Sequence, residues 1–213
     1  MISILDYGSG NIKSIQNMLK KIDVSCNLIS TADEIDRALA LIMPGVGHID
    51  TVMQRLHGLN LVDSLNCAAV DRKIPILGIC VGMQAMTLGS DEGELPGLGW
   101  LNARASKLGA DDATLRVPHM GWNLINVTQA NAYFESTAGF EQRFYFVHSF
   151  GIQCFDRADV LATTSYGNEF VSAFARDNLL GVQFHPEKSH KFGEAFFRRF
   201  SEVVAISAAK HAH

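Results

Sequence analysis

The sequence predicts an α/β fold with a mixed central sheet, flanking helices and antiparallel additions. Three observations carry this expectation. The first part of the chain, to about residue 80, alternates apolar strand-like runs with helical stretches, as in a parallel sheet wrapped by helices. The run Pro75-Ile76-Leu77-Gly78-Ile79-Cys80-Val81-Gly82-Met83-Gln84 then places a cysteine between two glycines where a strand gives way to a helix. Later segments read as successive strands joined by turns, which implies antiparallel pairing.

In chain order, strands are predicted over residues 2–6, 25–29, 40–43 and 74–79, each an apolar run bounded by polar or turn residues. Helices fit between them over 11–21, 32–38 and 50–70, the last interrupted near Gly58, and another begins near Val81. From Gly89 to about Ala113 the texture turns to Gly, Pro and acidic residues around Leu98-Gly99-Trp100, loop-like and then strand-like. Strands follow over 122–127, 143–147, 160–164, 170–175 and 180–184. A last helix over 189–204 sets Phe192, Ala195, Phe196 and Phe200 at helical spacing, with the phenylalanines facing the sheet. One domain is expected over 1–204, followed by a frayed tail over 205–213.

With 213 residues, 47% of them hydrophobic, the chain can bury a full core in a single domain. A net charge of −4 and scattered Lys and Arg residues leave no basic footprint for nucleic acid. There is no basic segment leading into an apolar one at the N-terminus and no apolar run of membrane-spanning length, so a cytoplasmic protein is expected. Cys26, Cys67, Cys80 and Cys154 form no CxxC pair, which disfavours a zinc site or a disulfide framework; Cys26, Cys67 and Cys154 read as buried small hydrophobes. No metal is expected.

The pattern Gly78-x-Cys80-x-Gly82 is the cysteine form of a nucleophile elbow. Small neighbours permit a strained backbone that lifts the side chain over the end of the strand, and a helix N-terminus favours the thiolate. By itself such a cysteine more often marks a tight structural turn. A base is available in Gly181-Val182-Gln183-Phe184-His185-Pro186-Glu187-Lys188-Ser189, where a strand delivers His185, Pro186 enforces an extended backbone before it, and Glu187 can orient the imidazole. A doubly wound sheet can bring two such strand ends to one crevice, giving a Cys80-His185-Glu187 triad.

These two stretches resemble the signature segments of class I glutamine amidotransferases, residue by residue at Cys80, His185 and Glu187. Asp6-Tyr7-Gly8-Ser9-Gly10-Asn11, Pro44-Gly45-Val46-Gly47, Pro118-His119-Met120-Gly121-Trp122-Asn123 and Phe144-Tyr145-Phe146-Val147-His148-Ser149 narrow the resemblance to the glutaminase subunits of imidazole glycerol phosphate synthases, from Met1 to about Phe200. The resemblance implies a flavodoxin-like fold and hydrolysis of L-glutamine to glutamate and ammonia without an organic cofactor. It also implies a (β/α)8-barrel cyclase partner in a heterodimer that channels the ammonia into histidine biosynthesis. It makes Gly45, Val46 and Gly47 an oxyanion strand working with the Val81 amide, and Ser149 and Phe150 contacts for the glutamine amino-acid group. Gln84, one helical turn from Cys80, could also meet the substrate, and its structural alternative is a core hydrogen bond. Asn11 and Lys188 fall at the partner-facing surface, Trp122 and Tyr145 are candidate interface aromatics, and His119 and His148 read as hydrogen-bonded structural histidines.

Other readings stay open at this level. Asp91-Glu92-Gly93-Glu94-Leu95-Pro96-Gly97-Leu98-Gly99-Trp100 and Lys188-Ser189-His190-Lys191-Phe192-Gly193 also suit glutaminase subunits that serve sugar amidation in surface polysaccharide synthesis. A catalytically silent module and a cysteine peptidase are alternatives of other classes. Gly8-Ser9-Gly10-Asn11 invites a phosphate-loop reading but lacks the dinucleotide and Walker spacings.

Overall fold

The structure is a computed structural model that describes residues 1–109, 114–135 and 140–211. Its first half alternates strands and helices as the sequence implies: β1 (Ile2–Leu5), α1 (Ile12–Lys21), β2 (Cys26–Ile29), α2 (Ala32–Arg37), β3 (Leu41–Gly45), α3 (Ile49–Gly58), α4 (Val62–Asn66), β4 (Ile76–Cys80) and α5 (Val81–Ala85). Local chemistry sets several of these boundaries. At α2, Thr31 and Glu34 form a reciprocal capping box, satisfying donors that the first turn leaves free. The expected break near Gly58 is where α3 ends, with Asn60 in the left-handed region at φ 54° before α4 resumes. A π-helical turn over Cys67–Asp71 then finishes α4.

The second half contains β5 (Ala103–Lys107), β6 (His119–Val127), β7 (Gln142–His148), β8 (Phe150–Cys154), β9 (Val160–Tyr166), β10 (Asn168–Arg176), β11 (Leu179–Val182) and α6 (His190–His211). Strand β8 has no counterpart in the sequence reading, because its short pattern directly follows β7. Two further expectations are corrected. Helix α6 runs past the expected end at Val204 to His211, although its buried stripe of Phe196, Phe197, Phe200 and Val204 stops where the helix was expected to end. Ala195 faces solvent, and Phe197 takes the inward position.

The strands form one sheet in the order β2-β1-β3-β4-β11-β10-β9-β6-β7, with β8 paired to β10 and β5. Pairing is parallel from β2 through β4 to β11 and antiparallel beyond. Strands β1, β3 and β4 are buried along their whole length, as expected for a parallel sheet covered on both faces. On one face α6 packs Phe196 beside Phe134 and Phe184, and burying each such ring contributes about 1.5–3 kcal/mol. Among the described residues no helix is long and apolar enough to cross a membrane. The thiols of Cys26, Cys67 and Cys154 are free and half-buried, more accessible than their residue type suggested. Burial still pushes the Cys154 thiol up to about 12.

Candidate active site

Three adjacent strands converge on Cys80. In the parallel register Gly45 of β3 lies opposite Cys80 of β4, and Val182 of β11 lies opposite Ile79, so all three strands deliver their following loops to the same edge. Cys80 ends β4 with φ 55°, a region that L-residues seldom enter, and it stands at the N-cap of α5. Glycines beside and opposite Cys80 are required by space. A Cβ on Gly82 would lie 2.0 Å from the Met43 carbonyl oxygen, and one on Gly45 would lie 2.4 Å from the Gly82 nitrogen.

His185 follows β11 with an extended backbone, φ −102° and ψ 93°, and Pro186 opens the short 3-10 turn that holds Glu187. This turn brings His185 Nδ1 to 2.7 Å from Glu187 Oε1, with both side chains 1% exposed. His185 Nε2 is buried without a hydrogen-bond partner among the described residues, which leaves it for Cys80. Burial opposes charge on the imidazole, but the Cys80 charge and then the Glu187 carboxylate outweigh it and raise the His185 pKa to about 10. Ser189 fixes the turn by donating to the His185 carbonyl at 2.7 Å and accepting the Tyr145 amide at 3.0 Å.

A cavity of about 300 Å³ opens over the thiol, and Val46, Gly47, Val81, Gln84, Ser149 and Phe150 line it together with Cys80 and His185. The Gln84 amide group is already occupied: Nε2 donates to Phe150 O at 3.3 Å and to Gln183 Oε1 at 3.1 Å. Only its Oε1 remains to meet a ligand. The Val46 amide is also engaged, donating to Ser9 Oγ at 3.0 Å, while that hydroxyl donates back to Val46 O at 3.0 Å. Gly47 has φ 87°, so the peptide preceding it can adopt orientations closed to other residues.

Several residues at the site were given no role from sequence. Gln183, fully buried, donates from Nε2 toward Cys80 Sγ at 3.7 Å. Glu92 reaches the cavity wall while accepting the Ile49 amide at 2.9 Å. Nothing in their local sequence marked them, because each arrives through long-range packing. The expected interface residues divide into two groups. Trp122 is 46% exposed, stacks on His190 at 5.5 Å and meets Tyr145 edge-on, and the exposed Lys188 lies 5.7 Å above the Tyr145 ring. Asn11, half-buried, instead donates to Glu187 Oε1 at 2.8 Å.

A thiol on a strand-to-helix elbow, facing an imidazole that a buried carboxylate holds, is equipped for acyl transfer from a carboxamide or ester. The chain belongs to the glutamine amidotransferase class-I family, whose model matches residues 3–203. It is 46% identical to the imidazole glycerol phosphate synthase subunit HisH 2 of Methanococcus maripaludis, over 94% of this chain and 98% of that protein. Identity to the synthase subunit HisH of Leptospira borgpetersenii is 43%, over 95% of this chain and all of that one. Among solved structures it resembles a glutamine amidotransferase with a TM-score of 0.74 at 18% identity, covering 96% of this chain and 98% of that one. PurLQS from Thermotoga maritima gives 0.72 at 17%, covering 95% and 98%. At these identities the structural likeness speaks for the fold.

Proposed function

We propose that this chain is the glutaminase subunit of an imidazole glycerol phosphate synthase, acting in the cytoplasm and passing ammonia to a (β/α)8-barrel cyclase partner in histidine biosynthesis. The observation that carries the chemistry is the buried His185–Glu187 pair, 2.7 Å apart, beside Cys80 on one cavity. The names of the relatives favour this acceptor over sugar amidation.

Cys80 sulfur attacks the side-chain carboxamide carbon of L-glutamine. The C–N bond then breaks as His185 gives its proton to the departing nitrogen, releasing ammonia and leaving a γ-glutamyl thioester. Water, deprotonated by His185, attacks the thioester carbon, and cleavage of the C–S bond yields glutamate and restores the thiol. Glu187 holds the imidazole in orientation and stabilises its charge. The Val81 amide and one amide from Gly45 to Gly47 bind the oxyanion. Gln84 Oε1, the Ser149–Phe150 backbone and the Glu92 carboxylate surround the amino-acid end, with Glu92 suited to the α-ammonium.

Because Ser9 holds the Val46 amide, that donor is unavailable until the peptide turns. Partner binding through Trp122, Tyr145, Lys188 and the Asn11 loop would favour the turn. The deciding experiment measures glutamate release by the full chain alone, with purified cyclase, and with cyclase plus its nucleotide substrate. Acceleration by the loaded partner is expected. Equal turnover in all three conditions, or none in any, would overturn the proposal.

A further inference from the structure

His119 of β6 and His148 of β7 face each other in the antiparallel register, and both are buried. Their polar atoms lie on a continuous chain of contacts. His148 Nδ1 is 2.9 Å from Phe150 O, His148 Nε2 is 3.0 Å from His119 Nδ1, and His119 Nε2 is 3.2 Å from Asn123 Nδ2. Phe150 O also accepts the Gln84 amide, whose nitrogen continues through Gln183 toward Cys80 Sγ. Stacking on Phe146 at 4.9 Å and Tyr166 at 4.0 Å holds the His119 ring in plane.

A single proton assignment satisfies this chain. Phe150 O can only accept, so His148 carries its proton on Nδ1 and accepts at Nε2. His119 must then donate from Nδ1 and accept at Nε2, which the Asn123 amide satisfies. A second proton on His148 would set two N–H groups against each other at 3.0 Å. Burial, the largest influence on both rings, lowers His119 to about 4 and His148 to about 3, consistent with two neutral imidazoles.

We infer that His119 and His148 are positioning residues for glutamine: through the Phe150 carbonyl they fix the Ser149–Phe150 backbone and Gln84 at the amino-acid end of the cavity. This rests on the glutaminase reading of the site. The same chain links the cavity to β6, whose Met120 and Trp122 side chains are 63% and 46% exposed on either side of Gly121.

The test uses the full chain with L-glutamine. In His119→Phe the ring is kept but the donor to His148 is lost, so KM for glutamine rises on the order of tenfold while kcat changes less, in keeping with a lost buried donor. His119→Asn returns an N–H at the δ position and restores much of the KM. Imidazole 15N shifts of the unsubstituted chain show both rings as neutral Nδ1–H tautomers at pH 7. An unchanged KM in a folded His119→Phe variant would overturn the inference. So would an Nε2–H tautomer at either ring, a measurement that needs neither a folded variant nor turnover. Absence of glutamate release by the unsubstituted chain with its loaded partner would instead be failure of the glutaminase reading, and the tautomers would still judge the pair.

Discussion

Asn11 donates from its side-chain amide to Glu187 Oε1 at 2.8 Å, the same oxygen that receives His185 Nδ1. Asparagine at an N-cap ordinarily bonds the first-turn amides, yet here the cap makes no such bond. The β1–α1 loop thereby positions the carboxylate that holds His185. We expect Asn11→Ala to lower kcat about tenfold with little change in glutamine KM, the scale of a lost hydrogen bond to a charged group. Steady-state glutamate release by the chain without partner checks this, since an interface role alone would leave that rate intact.

Ser9 ties down the Val46 amide in the resting chain. In Ser9→Ala that tie is gone, and partner-independent turnover rises about fivefold, corresponding to release of roughly 1 kcal/mol. Glutamate release without cyclase is the measurement, and an unchanged or reduced rate speaks against Ser9 as a restraint.

Gly82→Ala places a Cβ 2.0 Å from the Met43 carbonyl oxygen, where only backbone movement can relieve the clash. Destabilisation of about 1–3 kcal/mol or more is expected, together with displacement of Cys80 from its elbow. Denaturant melts and the rate of Cys80 alkylation report the two effects separately.

We expect acid stability to depend on the paired histidines. His119 and His148 have folded pKa values depressed to about 4 and about 3, so below pH ~6.5 the unfolded chain binds more protons than the folded one. Their contribution is full above that pH and is lost as pH falls through about 4 for His119 and about 3 for His148, by up to ~1.4 kcal/mol per pH unit for each. His185 behaves oppositely. Its raised pKa makes its contribution full below pH ~6.5 and lost as pH climbs toward about 10. Denaturant midpoints measured from pH 4 to 10 test both limbs, and His148→Phe should flatten the acid limb.

Glu187→Gln keeps the shape of the carboxylate but removes its charge from His185. A fall in kcat of about 10²–10⁴-fold is expected, as when the orienting member of a triad is neutralised. Single-turnover release of ammonia separates this loss from effects on glutamine binding.

The elbow and the His-Pro-Glu turn were legible because their geometry is local. Glycines beside Cys80 permit its φ of 55°, and two residues of chain are enough to join His185 to Glu187. The early strand–helix alternation was legible for the same reason. Strand β8 and the far end of α6 were not, since neither has a turn or cap signal, and β8 is maintained by its pairing with the distant β5. Ala195 shows the limit of periodicity, which locates a helical face only to within a residue.

The sequence by itself determined a class of fold and a Cys-His-Glu constellation, because propensity, turn chemistry and short spacings are properties of neighbouring residues. Tertiary structure alone decided that Asn11 serves Glu187, that Ser9 holds Val46, that Gln183 approaches Cys80 and that His119 meets His148. Each of those contacts joins different elements. Strand register and loop approach fix them, and the packing of the whole sheet sets both.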